Sequence, residues 1–98
     1  MSTNTTEKII VKTMPRIDAL NAPKFEELLK ETMEENQNSH IVIDMTDTVY
    51  ICSVGLRVLL AAQKKLHQKQ CSMIITGVKP QIMEIFEITG FSGIFTVE

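Results

Sequence analysis

The stretch Val49–Arg57, VYICSVGLR, decides the fold, because a strand-like run changes into a helical run within one residue. Tyr50-Ile51 is extended in character, and a helical pattern begins at Ser53. A serine directly before a helix is a favoured N-cap, and its hydroxyl is predicted to accept a hydrogen bond from the backbone N–H of Gly55 or Leu56. Because the amino end of a helix favours negative charge, the same serine could carry a phosphate without unfolding of the chain.

The helix that Ser53 opens is predicted to run to about Gln68, with one apolar stripe facing the core. That stripe consists of Gly55, Val58, Leu59, Ala62 and Leu66. Leu56 and Leu60 lie at the flank of the stripe, close to Ser53, and we expect them to form an exposed contact surface with Arg57.

Strand-like and helical patterns alternate along the rest of the chain. Strands are predicted at about 7–13, 40–45, 71–76 and 94–97, a helix follows Asn21, and a short helix after Pro80 ends at Gly90. The continuous apolar run from His40 to Met45 is typical of a central strand that is covered on both faces. The order predicts an α/β fold, with helices packed on a mixed or parallel sheet.

Length and composition indicate one ordinary domain over residues 1–98. The chain is 44% hydrophobic and 22% charged, with a formal net charge of -2. This balance predicts no binding to nucleic acid or to an anionic membrane surface. Met1–Thr6 is polar and no segment is long and apolar enough to span a membrane, so we expect a cytoplasmic protein. Cys52 and Cys71 lack metal or disulfide spacing and are predicted to be buried free thiols.

The chain lacks a convincing catalytic constellation. Ile51–Gly55 lacks the first glycine of the Gly-x-Ser-x-Gly nucleophile elbow, and neither histidine has the pattern of a catalytic base. No nucleotide-binding motif or cofactor site is evident, so we expect a protein that is not an enzyme. Asp18, Asp44 and Asp47 lie at element ends, where a metal or phosphotransfer site is conceivable, but caps and turns are the favoured interpretation.

The central motif has a family resemblance. Ile41–Asp44, followed after a short loop by Tyr50–Leu60, closely resembles the signature of STAS domains of the anti-sigma-factor antagonist family. The segment Asp18–Pro23 resembles the family's approach to its first helix, and Gly77–Ile82 with Thr89–Phe91 resembles its C-terminal third.

The resemblance implies a small α/β domain that binds an anti-sigma factor with serine kinase activity, is phosphorylated by it, and is reactivated by a PP2C-type phosphatase. Ser53 matches the phosphoacceptor. The implied partner-binding residues are Asp18, Cys52, Val54, Gly55, Leu56, Arg57 and Leu60.

This sequence departs from the family pattern at three places. Cys52 stands where many members have aspartate or serine, Val54 replaces a small or hydroxyl residue, and the N-terminal strand is curtailed to Met1–Thr6. An alternative is therefore a non-phosphorylated scaffold or interaction subunit of a stress-signalling or transporter complex.

Overall fold

The computed structural model describes residues 7–98, and its strands and helices alternate as the sequence predicts. The predictions that rest on Met1–Thr6 lie outside the described residues. The elements are β1 (Lys8–Lys12), β2 (Arg16–Ile17), α1 (Ala22–Glu35), β3 (His40–Asp44), β4 (Tyr50–Ile51), α2 (Ser53–Gln68), β5 (Met73–Thr76), α3 (Pro80–Thr89), a 3-10 helix (Phe91–Gly93) and β6 (Thr96–Val97).

The main sheet has four strands in the order β1-β3-β5-β6, and every neighbouring pair is parallel. Val42 of β3 pairs with Ile10 of β1 on one side and with Ile74 of β5 on the other. A second sheet consists of the short parallel pair β2-β4. The α/β class, the parallel sheet and the interior position of β3 are thus confirmed, whereas β2 was not predicted.

Within residues 7–98, helices pack against one face of the main sheet and leave the other face without a helix. Ile41 and Ile43 of β3 point into the core with 1% and 0% exposure, whereas on the other face Val42 of β3 is half-buried and Ile10 of β1 is 68% exposed. The strand order advances in one direction, and right-handed crossovers that advance in one direction place every helix on the same face. The prediction that β3 is covered on both faces was therefore wrong, because covering the second face requires a reversal of strand order.

The core lies between the packed face of the sheet and the three helices. Its largest fully buried helical side chains are Phe25 and Leu29 of α1, Leu59 and Leu66 of α2, and Ile82 and Phe86 of α3. The predicted apolar stripe of α2 is buried in full. Both cysteines are free but only half-buried, so the prediction of full burial was wrong.

Two buried hydroxyls anchor the loop before β4. Thr48 is fully buried, donates to the carbonyl of Met14 at 2.8 Å and hydrogen-bonds the hydroxyl of Thr13. The next backbone link is made by Val49, whose N–H donates to the carbonyl of Pro15 at 2.8 Å. These bonds join the β3-β4 loop to the β1-β2 connection, and they align β4 beside β2.

Candidate functional site

The candidate site is built where β2 and β4 end side by side. The N–H of Cys52, the residue after β4, donates to the carbonyl of Ile17 at 2.9 Å. Because the pair is parallel, the two carboxyl ends meet, and Asp18 follows β2 next to the start of α2. The structure therefore brings the predicted residues Asp18, Cys52 and Ser53 to one edge.

Ser53 is the first residue of α2, and Cys52 is the N-cap. Cys52 has the extended backbone of an N-cap, and its carbonyl accepts the first helical hydrogen bond from the N–H of Leu56 at 3.1 Å. The prediction that Ser53 caps the helix was therefore wrong by one position. Since the first amides of a helix have no intrahelical acceptor, the N–H groups of Ser53, Val54 and Gly55 point outward at the helix end beside the exposed serine.

Gly55 allows α2 to lie close against β2-β4. A Cβ atom at Gly55 would lie 2.6 Å from Cγ2 of Ile17 and 2.9 Å from Cγ1 of Ile51. This close approach buries the neighbouring Leu56, which is only 3% exposed. The prediction of an exposed Leu56 was therefore wrong. The first turn of α2 packs against β2 and β4, and the side chain of Leu56 lies in the core beneath that turn.

The other predicted contact residues divide by exposure. Arg57 is exposed, Val54 is 43% exposed, and Leu60 is half-buried against the core. These three side chains are at least partly available to a partner.

Three exposed apolar residues, in β4 and in the segments that flank β2 and β4, were missed by the sequence analysis. Leu20 is 85% exposed, Val49 46% and Tyr50 39%. We define the junction surface as Leu20, Val49, Tyr50, Ser53 and Val54. Their positions in or beside short elements could have predicted this exposure, because large apolar residues there have little access to the core. Exposed apolar groups mark interaction surfaces when they cluster.

The polar neighbours of the junction surface are held in place. The guanidinium of Arg16 lies 4.5 Å from the centre of the Tyr50 ring, in a cation–π arrangement, and its Nε lies 3.6 Å from Oδ2 of Asp18. Oδ1 of Asp18 accepts hydrogen bonds from the N–H groups of Leu20 and Asn21, at 3.1 and 3.0 Å. Asp18 therefore fixes the turn that exposes Leu20. Asn21 is the N-cap of α1, but its side chain makes no capping hydrogen bond.

Asp44 forms a turn, as Asp18 does, whereas Asp47 forms an ion pair. Oδ1 of Asp44 accepts hydrogen bonds from the hydroxyl of Thr46 at 2.5 Å and from its N–H at 3.0 Å, and these bonds hold the pKa of the Asp44 carboxyl below its usual range. Asp47 forms an ion pair with Lys12 at 3.2 Å. Over residues 7–98, no three His, Cys, Asp or Glu side chains gather as metal ligands would.

The two histidines lie away from Ser53. Nδ1 of His40 accepts a hydrogen bond from the N–H of Ser72 at 2.8 Å, at the amino ends of β3 and β5, whereas Ser53 lies at the carboxyl end of β4. His67 is exposed near the far end of α2. Neither imidazole is placed to activate Ser53 as a nucleophile. In the same described residues, no helix has the length and apolarity needed to cross a membrane.

Comparison with known proteins defines the class of protein. The whole chain, residues 1–98, matches the STAS domain family, and the protein belongs to that family. It is 34% identical over 93 residues to the anti-sigma-B factor antagonist of Listeria monocytogenes. This match covers 95% of this chain and 81% of the relative. Within the STAS family, the chain thus belongs with the anti-sigma factor antagonists, which are regulatory binding proteins and not enzymes.

Solved structures show the same fold. The anti-sigma factor antagonist SpoIIAA in its unphosphorylated form superposes with a TM-score of 0.79, at 12% identity, over 99% of this chain and 84% of that one. The phosphorylated form of the Bacillus cell fate determinant SpoIIAA gives a TM-score of 0.70, also at 12% identity, over 99% and 87% of the two chains. The parallel sheet with three helices is therefore a STAS fold.

Proposed function

We propose that this protein is a phosphorylation-switched antagonist of an anti-sigma factor. The unmodified chain, as a single cytoplasmic domain, binds an anti-sigma factor with serine kinase activity and thereby releases a sigma factor. The kinase phosphorylates Ser53, and the phosphoprotein then binds the kinase more weakly and releases it. A PP2C-type phosphatase removes the phosphate and restores binding.

The observation that carries this proposal is the placement of Ser53. Its side chain is exposed at the amino end of α2, among the exposed apolar side chains of the junction surface. Ser53 is thus accessible to a kinase and also lies inside the surface that a partner would cover. The relatives named anti-sigma-B factor antagonists support this choice of partner.

The chemistry requires little of this chain beyond presentation of the hydroxyl. Oγ of Ser53 forms a bond to the γ-phosphorus of ATP, the bond from that phosphorus to ADP breaks, and the hydroxyl proton leaves to the kinase or to solvent. The free N–H groups of Val54 and Gly55 and the positive helix end favour the new negative charge. We therefore expect the fold to survive phosphorylation.

The consequence for binding follows from charge and burial. A phosphate adds about -1.5 to -2 charges amid the exposed Leu20, Tyr50 and Val54, which a docked partner would bury. Desolvating that charge without a compensating cation is costly. Phosphorylation therefore weakens the complex without unfolding either protein.

The test is incubation with ATP and the purified anti-sigma factor kinase of the same organism, followed by intact-mass measurement. Wild type is expected to gain one phosphoryl group, Ser53→Ala none, and the matched control Ser92→Ala one. Ser53→Asp should bind the kinase at least about tenfold more weakly than wild type. Failure of wild type to gain a phosphoryl group, or full binding by Ser53→Asp, would overturn the switch.

Cys52 supports a second candidate function, a constitutive interaction subunit of a stress-signalling or transporter complex. Its thiol makes no capping hydrogen bond and supplies no carboxylate beside Ser53, where many family members have an acidic or hydroxyl group. In this function the junction surface binds its partner without modification. Tight binding that is unchanged by ATP, with no phosphoryl group gained, would favour it.

A further inference from the structure

A groove runs along the far half of α2 and ends at the segment before β6. It has a volume of about 620 Å³ and is lined by Leu60, Gln63, Lys64, His67, Gln68 and Ile94. Its apolar floor is formed by Leu60 and by Ile94, which is 46% exposed. The side-chain amide of Gln63 donates to the carbonyl of Ile94 at 2.8 Å, so the two walls are already joined.

Lys64 gives the lining of the groove one positive charge, and the helix α2 contributes no acid beside it. In a chain of net charge -2, α2 contains Arg57, Lys64 and Lys65 and no aspartate or glutamate. The adjacent α1 has the opposite balance, with five glutamates and two lysines. Among residues 7–98, none that lines the groove is acidic. Charge complementarity therefore favours an acidic occupant.

The groove continues the surface that includes Ser53. Residues four, seven and eleven positions along a helix return to nearly the same angle, so Arg57, Leu60 and Lys64 follow Ser53 along one side of α2. Arg57 and Lys64 are exposed there, and Leu60 is half-buried. At 1.5 Å per residue, Leu60 and Lys64 lie roughly 10–17 Å from Ser53 along the helix axis. This separation exceeds the screening length of about 8 Å at physiological ionic strength.

We propose that the groove binds an acidic segment of the kinase partner, which inserts one large apolar side chain between Leu60 and Ile94. This inference rests on the proposed function and adds a second, phosphorylation-independent part to the interface. The phosphate at Ser53 disrupts binding at the junction surface. The groove lies farther from that phosphate than the electrostatic screening length, so binding there is little affected. The groove thus provides the residual affinity of the phosphorylated protein for its kinase.

The test measures the affinity of variants for the same purified kinase by titration calorimetry, at low and high salt. Lys64→Glu and Ile94→Ser are each expected to weaken binding about tenfold. Their matched controls, Lys24→Glu on α1 and Ile88→Ser on the 77%-exposed Ile88 of α3, should stay within about twofold of wild type. Added salt should reduce the effect of Lys64→Glu and leave that of Ile94→Ser unchanged.

Combination with Ser53→Asp separates this inference from the proposed function. The effects of Ser53→Asp and Ile94→Ser on the binding free energy are expected to add, because the sites are distant. If Ser53→Asp abolishes binding while Lys64→Glu and Ile94→Ser match their controls, the groove inference is wrong and the switch stands. If wild type does not bind the kinase, the proposed function fails, and the groove inference fails with it.

Discussion

The four glycines of the chain differ in backbone strain and in steric contact, so their alanine variants separate these two effects on stability. Gly77→Ala is the most informative substitution, because it combines both effects. Gly77 has φ of +69°, and its Cβ would collide with the Thr46 side chain and lie 3.0 Å from the Thr46 backbone nitrogen. Gly90 shares the positive φ, at +83°, but a Cβ there would meet nothing within 4 Å. Gly55 has the contact without positive φ, and Gly93 has neither.

The expected losses in the free energy of unfolding follow from these two causes. A left-handed conformation costs a non-glycine residue roughly 1–2 kcal/mol, and overpacking costs about 1–3 kcal/mol. Gly77→Ala combines both, for a loss of about 3 kcal/mol. Gly90→Ala carries only the strain and Gly55→Ala only the contact, and each is expected to lose about 1 kcal/mol, since alanine restricts the unfolded chain at position 90 and improves helix propensity at position 55.

The assay is urea unfolding followed by circular dichroism, with Gly93→Ala as the control that should stay within about 0.5 kcal/mol of wild type. A loss of about 3 kcal/mol corresponds to a fall in Tm of roughly 12–24 °C for a domain of this size. If Gly77→Ala were no more destabilising than Gly90→Ala, the contact with Thr46 would carry no cost. The close packing of Gly77, after β5, against Thr46, after β3, would then be refuted.

Three further predictions concern the buried hydroxyl pair, the open sheet face and the Asp44 turn. Thr48→Val should lower the free energy of unfolding by about 1–3 kcal/mol, because the part-buried carbonyl of Met14 loses this donor. Thr32→Val, which removes an exposed hydroxyl bond within α1, should change it by less than about 0.5 kcal/mol in the same urea titration. Ile43→Ala should cost about 2–5 kcal/mol in thermal unfolding and Ile10→Ala much less, and equal losses would contradict an open face. Because the pKa of Asp44 is depressed on folding, its carboxylate stabilises the fold above the ordinary aspartate pKa, and this stabilisation is lost as the pH falls. Wild type should therefore exceed Asp44→Asn in stability at neutral pH, and the difference should shrink in titrations below about pH 4, whereas a constant difference would contradict the role of ionisation.

The sequence predicted the elements that have long, clear periodicity. The end of α2 at Gln68 agrees with the prediction and its start differs by one position, because sixteen residues give several repeats of the helical spacing. β2 was missed, since two residues after Pro15 show no alternation and exist as a strand only through pairing with β4. The left-handed Gly90 was predicted correctly, because a glycine at that position commonly ends a helix.

The errors in the site come from tertiary contacts that a helical pattern does not contain. Helical spacing places Leu56 at the flank of the stripe, but the closeness of Gly55 to Ile17 and Ile51 buries it. Leu20 was missed for the converse reason, because its exposure depends on the Asp18 turn. The sequence could place Ser53 at the start of α2, but it could not predict how closely α2 packs against β2 and β4.

The strand order links the open sheet face to the placement of the site. Because every crossover advances in one direction, all three helices share one face, and α2 is the interior crossover between β3 and β5. A crossover helix begins at the carboxyl end of the strand before it, so the free amides of α2 lie at the edge where the ends of β2 and β4 meet. The proposed phosphorylation at that edge would add charge to a surface and leave the core intact, which is the physical requirement for a switch that changes binding and preserves the fold.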